Sequence, residues 1–312
     1  MTDSEINLPL ELWRGGVTPW DCDEMGHWNV RQYVGRAHDA ILALQAELGL
    51  GEPIPETQSG LFLREAHIRF LAEARASAPL VMVGGILECR AQDMEVYFEL
   101  RHVRDGRVAA TYRLNIEHQS LRTRMPFNWP RRAREKADQL ICTVPDYARP
   151  RGVSLKPVCF QASGAQADAY DLPVIRRAVI HPADCDATGV MRPGVFIGAV
   201  SDGFGSLAMH WHQDPTRDPL ADGEGGVALE YRLHYYDLPT LGQRYVVRSG
   251  LQEVARKTRT TAHWMLCPST GQPYASLLSV SAAFDLKTRK ILTPKPEITE
   301  RLKTWVIPGI GL

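Results

Sequence analysis

Hydrophobic positions along the chain fall into two kinds of run, and the kinds follow one another in the same order twice. Between residues 29 and 48, Val30, Tyr33, Val34, Ala37, Ile41, Leu44 and Leu48 return every three or four places, the spacing of a helix with one face on a core. Asn29 suits the N-cap and Gly49 the stop. Strand-like stretches follow at 62–71, 80–89, 96–103 and 108–118, with Asp105-Gly106 as a hairpin turn. In the last of these, Tyr112, Leu114 and Ile116 alternate with polar neighbours, as a half-buried antiparallel strand does. Phe196, Val200, Phe204, Leu207 and Trp211 then resume the helical spacing, with Pro193 suited to the first turn. Strands are predicted after it near 227–236, 243–252, 258–266 and 274–284, and short ones at 11–18 and 175–181 precede the two helices. Each half reads β-α-β-β-β-β, a long helix held in the curl of an antiparallel sheet.

The halves are also related residue by residue. Residues 18–40 and 181–203 align without a gap at a constant offset of 163, with seven identities: Pro19/Pro182, Asp21/Asp184, Cys22/Cys185, Asp23/Asp186, Gly26/Gly189, Gly35/Gly198 and Asp39/Asp202. Chance would give roughly one or two in so short a window, so the chain is read as a duplication. In the second helix Gly194, Gly198, Gly203 and Gly205 each lower helicity by about 1 kcal/mol against Ala, which makes sense where something packs close to that helix. The halves are placed at 1–120 and 174–312. Residues 121–173, rich in Arg and Pro, are read as a surface connector holding a short helix at 130–141 and irregular chain beyond it.

Composition changes this picture only by exclusion. Hydrophobic residues at 44% and charged ones at 23% fit a packed globular chain. Lys+Arg and Asp+Glu both total 36, which leaves no global field to gather nucleic acid or an anionic membrane. No apolar run approaches the roughly 20 residues of a bilayer span, and the first residues lack the pattern of a secretion signal. The six cysteines are scattered with no CxxC pair, as expected of free thiols in a reducing compartment; the cytoplasm is the expected location. No HxxxH, HExxH, GxGxxG or P-loop pattern occurs, so no metal, nucleotide or other cofactor is expected.

The candidate chemistry lies just ahead of each helix. The phrase Asp-Cys-Asp-x-x-Gly stands at residues 21–26 and again at 184–189. It brings a carboxylate to a strand–helix junction, and Gly26 and Gly189 allow backbone to approach a ligand closely. The helix that follows offers unpaired N–H groups and a positive dipole end, both of which favour an oxyanion. A carboxylate there can attack a thioester or activate water while the amides hold the developing charge. The plainer reading is that an Asp before a helix is a cap or a first-turn charge.

These residues resemble the Asp-rich loop of hotdog-fold acyl thioesterases of the 4-hydroxybenzoyl-CoA thioesterase type, and the stretch from Asp23 to His27 is similar to that of the acyl-ACP thioesterases, which are double hotdogs. The resemblance implies an α+β fold of two tandem hotdog domains forming a pseudo-dimer, with the acyl chain lying between them. It implies hydrolysis of acyl-CoA or acyl-ACP by Asp23 or Asp186, assistance from His27, and an oxyanion clamp near Val30 with Asn29, Gly26 and Gly189 around the substrate. A homodimer of such double units is one assembly it allows. The acyl-ACP pattern has an Asn where this chain has Met25, and the second loop has Val190 in place of a His and Pro193, which has no N–H, in place of Val30. Asp23 is therefore favoured over Asp186. Glu65 and Glu230 hold similar places in the two halves and are read as solvent-facing, with orientation of a loop residue as the alternative. Cys22 and Cys185 are read as packing residues, and Arg256, Lys257 and Arg259 as a solvated charge run rather than a seat for CoA phosphates. A hotdog enoyl-thioester hydratase and a non-catalytic acyl-thioester binder are the alternative functions.

Overall fold

The computed structural model describes residues 7–52, 58–212 and 223–312. Two compact units emerge: Met1–Pro150 together with Cys185–Gly194, and Arg151–Asp184 together with Val195–Leu312.

The first unit contains β1 (Leu10–Gly16), α1 (Val30–Glu47), β2 (Ser59–Phe70), β3 (Pro79–Cys89), β4 (Asp93–His102), β5 (Val108–Ser120) and α2 (Arg131–Asp138). Its strands lie in the order β1-β3-β4-β5-β2, each pair antiparallel. The predicted seam drives α1 onto β1, β2 and β3: Tyr33, Val34, Ala37, Ile41, Leu44 and Leu48 are buried, and only Val30 at the start stays half-exposed. A fully buried Leu or Ile contributes on the order of 1.5–3 kcal/mol, so this seam anchors the helix. Asn29 caps it by accepting the Arg31 amide at 2.9 Å, and Gly49 ends it at φ +71°, a conformation that suits glycine.

The second unit contains α3 (Gly164–Ala169), β6 (Val174–Val179), α4 (Gly194–His212, all but its first residue), β7 (Glu224–Tyr235), β8 (Arg244–Val254), β9 (Thr258–Leu266), β10 (Pro273–Asp285), β11 (Lys290–Ile291) and α5 (Pro296–Lys303). Its strand order is β7-β10-β9-β8-β6, with β11 on β10, the same as the first unit's read from β2 to β1. The registers agree in detail. Gly84 faces Phe98 where Ser249 faces His263, and a bulge falls between Ile86 and Glu88 and again between Leu251 and Glu253. The fold is α+β and the hotdog pattern occurs twice in tandem.

Three expectations are corrected. The segment 163–169, read as irregular, is α3, capped by the Ser163 hydroxyl accepting the Gln166 amide at 3.2 Å. The connector is not confined to the surface: Trp129, Ala133, Ala137, Cys142, Ala148, Ala162, Ala167 and Leu172 are all buried. The glycines of α4 divide. A Cβ on Gly203 would lie 2.9 Å from Ile175, whereas one on Gly205 would meet nothing within 4 Å. No helix among the described residues is long and apolar enough to cross a membrane.

Candidate active site

Each Asp-Cys-Asp-x-x-Gly phrase folds into the same tight loop. In the first, the Asp23 N–H donates to the His27 carbonyl (2.7 Å) and the Gly26 N–H to the Asp23 carbonyl (2.9 Å). Asp23 Oδ1 accepts both the Met25 and the His27 amides at 2.9 Å. In the second, the Asp186 N–H donates to the Val190 carbonyl (2.8 Å) and the Gly189 N–H to the Asp186 carbonyl (3.1 Å). Asp186 Oδ1 there accepts the amides of Thr188 (2.8 Å) and Val190 (3.2 Å). Gly26 and Gly189 stand at φ +74° and +79°, so the turn itself requires them; a Cβ on either would meet nothing within 4 Å. Their presence thus has a backbone cause, independent of the approach to a ligand expected from the sequence.

Local structure therefore explains why a side-chain oxygen acceptor stands at this place in each loop. Neither loop bond of Asp23 occupies Oδ2, and the residue is only half-buried. Asp186 Oδ1 accepts one more bond, from the Thr188 hydroxyl at 2.6 Å. The other aspartates of the phrase are structural: Asp21 accepts the Thr18 hydroxyl (2.6 Å) and the Gln32 amide group (2.8 Å), and Asp184 accepts the His181 N–H (3.1 Å).

Behind Asp23 the loop runs straight into α1. The Arg31 amide is taken by the Asn29 side chain and the Gln32 amide by the Asn29 carbonyl. Neither bond occupies the Val30 amide at the first helical position, where an anion is favoured. His27 is buried at 8% exposure, with Nε2 3.6 Å from Glu73 Oε2. Trp28 is buried and donates its amide to the Ala74 carbonyl at 2.8 Å; its ring stacks on Trp13 at 6.4 Å and meets Tyr33 at 4.8 Å. Tyr33 in turn meets Phe70 edge-on at 5.4 Å, which completes an apolar wall beneath the loop. Burial, helped by the charge of Asp23, pushes the Tyr33 phenol up to about 12. Burial likewise raises the Cys22 thiol, with Asp23 and Asp21 adding to the shift, so Cys22 is a neutral packing group and no nucleophile.

Two residues of this neighbourhood escaped sequence reasoning. Glu73 follows β2 in a stretch with no periodicity to mark it. His38 lies on the buried side of α1, where burial lowers its pKa and the charges of Asp39 and Asp186 oppose that shift. The second loop clusters with the first unit, and Gly194 comes so near α1 that a Cβ on it would lie 3.0 Å from the Arg31 carbonyl. Only folding brings His38 and Asp186 together.

Glu65 is half-buried on β2, opposite Asn115. Its counterpart Glu230 is not solvent-facing, as the alternation had suggested: it is 3% exposed and accepts the amides of Arg151 at 3.0 Å and Gly152 at 2.6 Å. Two strand residues on, Arg232 donates to the carbonyls of Ser154 (2.6 Å) and Lys156 (3.1 Å). These strand charges satisfy the backbone of a connector that forms no ladder of its own. No group of three or more metal-ligating side chains occurs among the described residues.

The model of the thioesterase-like superfamily matches this chain twice, over residues 17–140 and 180–302. No curated protein sequence matches it. Among solved structures it is similar to a Lactobacillus plantarum protein assigned as an oleoyl thioesterase, with 12% identity, 90% of this chain and 97% of that one covered, and a TM-score of 0.65. It is also similar to an acyl-ACP thioesterase from Bacteroides thetaiotaomicron (11% identity, 86% and 96% covered, TM-score 0.59). A third is the 12:0-ACP thioesterase from Umbellularia californica (11% identity, 87% and 93% covered, TM-score 0.60). At such identities the likeness speaks to the fold.

Proposed function

The chain belongs to the thioesterase-like superfamily, and from that premise we propose that it hydrolyses an acyl thioester carried on CoA or an acyl carrier protein, with Asp23 as the working carboxylate. One observation carries the reading: Asp23 is fixed by two amides through Oδ1, which leaves Oδ2 for chemistry just ahead of the amide end of α1. In this mechanism Oδ2 takes a proton from water as the water oxygen bonds to the thioester carbonyl carbon. The carbonyl oxygen becomes an oxyanion, held by the Val30 amide and the helix dipole. Collapse breaks the C–S bond, the sulfur takes up a proton, and free acid and thiol leave. The alternative route, direct attack by Asp23 through an anhydride, uses the same groups. His27, which follows Asp23 in the same loop and has its Nε2 3.6 Å from Glu73 Oε2, is assigned to help move protons. The Asp186 loop repeats the geometry, but Pro193 stands where Val30 supplies its amide, so it is the weaker candidate.

Asp23→Asn is a clean test, because the asparagine oxygen still accepts the Met25 and His27 amides and the loop keeps its shape. Thiol release from acyl-CoA and acyl-ACP substrates of graded chain length is expected to fall by on the order of 10²–10⁴ in this variant, and much less in Asp186→Asn. Undiminished release in Asp23→Asn would remove the assignment. Tight binding with no release from any thioester would indicate a binding protein, and loss of enoyl absorbance without thiol release would indicate a hydratase.

A further inference from the structure

The faces of the two sheets that turn toward the long helices are built at matching positions and differ in character. In the first unit the matched side chains are Met94, Val96, Phe98, Leu114 and Ile116, all buried and apolar, with Gly84 opposite Phe98. The same registers in the second unit hold Arg259, Thr261, His263, Ser279 and Ser281, with Ser249 opposite His263. The direction of these side chains is settled by their neighbours. Ala262, Trp264 and Leu266 pack outward on Ala167, Leu172 and Ile310, so the alternate residues Arg259, Thr261 and His263 face α4. The Arg259 guanidinium indeed lies 5.6 Å from the Phe204 ring of α4.

A hydrogen-bonded line crosses this face. His263 Nδ1 meets the Ser249 hydroxyl at 2.7 Å and Nε2 the Ser279 hydroxyl at 3.2 Å, while Arg259 Nε donates to the Ser281 hydroxyl at 3.3 Å. Burial holds the His263 pKa down to about 3, so the ring is neutral near pH 7 and Arg259 supplies the positive charge. Arg256 and Lys257 are exposed; the run that the sequence suggested was solvated divides, with its third member turned inward. Among the described residues no carboxylate pairs with Arg259. A half-buried guanidinium with no carboxylate beside it is costly, and Met94 shows that the fold does not require one here. Phe204 keeps 39% exposure where the matching Ile41 is fully buried, so this end of the face is open to solvent.

We propose that the α4-facing side of the second unit's sheet is a binding site for a small organic carboxylate, which Arg259 takes in a two-pronged hydrogen-bonded pair beside Ser281. The chemistry of the site selects the ligand: one guanidinium and neutral hydroxyls balance a single negative charge, whereas CoA, with several phosphate charges, calls for more cations. The Phe204 ring offers an apolar surface to the rest of the ligand. The site needs no turnover at Asp23, so it stands or falls apart from the hydrolysis reading.

Isothermal titration of the full chain with butanoate, hexanoate and octanoate, and in parallel with inorganic phosphate and CoA, tests it. Carboxylates are expected to bind the wild type, and Arg259→Met, which installs the side chain found at the matching place in the first unit, to weaken them by about tenfold or more. Arg259→Lys keeps the charge without the planar fork and is expected to weaken them less; a thermal melt verifies that each variant is folded. Asp23→Asn is expected to bind carboxylates as the wild type does. The proposal is overturned by absence of carboxylate binding in the wild type, by equal binding in Arg259→Met, or by loss of binding in Asp23→Asn alone. It is equally overturned if phosphate or CoA binds through Arg259 and the carboxylates do not.

Discussion

A carboxylate with one oxygen tied to two amides has one oxygen left to react, and the roles proposed around Asp23 follow from that division. Glu73 illustrates the next layer. It sits 3.6 Å from the His27 ring and, under the proposed mechanism, positions that ring, so Glu73→Gln is expected to lower kcat for thioester hydrolysis by about tenfold with little change in KM. A merely structural Glu73 would instead lower stability and leave kcat per folded molecule alone; steady-state kinetics beside a melting curve separates the two. The cysteines give a prediction independent of catalysis. Hydrogen bonds from Ser269, Thr270 and Tyr274 lower the Cys267 thiol to about 6, while burial raises Cys142 to about 12. Iodoacetamide at neutral pH is expected to modify Cys267 well before Cys142, at a rate that levels off above about pH 7 as its thiolate saturates. Peptide mapping after short exposure checks this, and earlier modification of Cys142 would contradict it.

At the scale of elements, side chains with a local cause were legible and those with a distant cause were not. The apolar seam of α1, its Asn29 cap and its Gly49 stop all act within a turn or two, and the sequence placed them correctly. The strands were located to within a few residues because alternation is itself a local pattern; β9 was placed over its observed span. The Asp23 loop was recognisable as a junction, but the two amides on Oδ1 depend on a turn that no spacing reveals. Glu73, His38 and the inward turn of Arg259 became visible only once strands and helices were packed. The same contrast governs the stability of elements. Asn29→Ala removes one local cap and is expected to cost about 1 kcal/mol in urea unfolding. Gly85→Ala acts at a distance: a Cβ there would lie 2.8 Å from the Leu140 carbonyl and 2.9 Å from Cys142 Sγ, in the segment that pairs with Ile86. Pushing that segment off β3 is expected to cost roughly 1–3 kcal/mol, and a loss no larger than that of a surface substitution would show that the packing is looser than described.

For the whole molecule the buried histidines matter more than any single charged pair. Burial lowers His38 and His102, takes His118 down to about 4 and His263 to about 3, against roughly 6.5 when unfolded. Each stays neutral in the folded chain at a pH where the unfolded chain would protonate it. Unfolding therefore takes up protons below about pH 6.5, and stability rises with pH across that window. It is fully present above about 6.5 and is lost as pH falls toward the folded values. A single group held about two units below its unfolded pKa contributes up to roughly 3 kcal/mol, enough to dominate acid sensitivity above pH 5, where exposed carboxylates are still ionised. Calorimetric melting between about pH 7.5 and 5 is expected to show Tm falling steadily below 6.5. His263→Phe places in the second unit the ring that Phe98 supplies in the first, and removes one of the groups that take up a proton. Its absolute stability also reflects the Ser249 and Ser279 hydroxyls it strands, so the slope of Tm against pH is the quantity to compare. A shallower slope in the variant follows from the buried neutral imidazole, and an identical slope would mean that His263 gains its proton without unfolding.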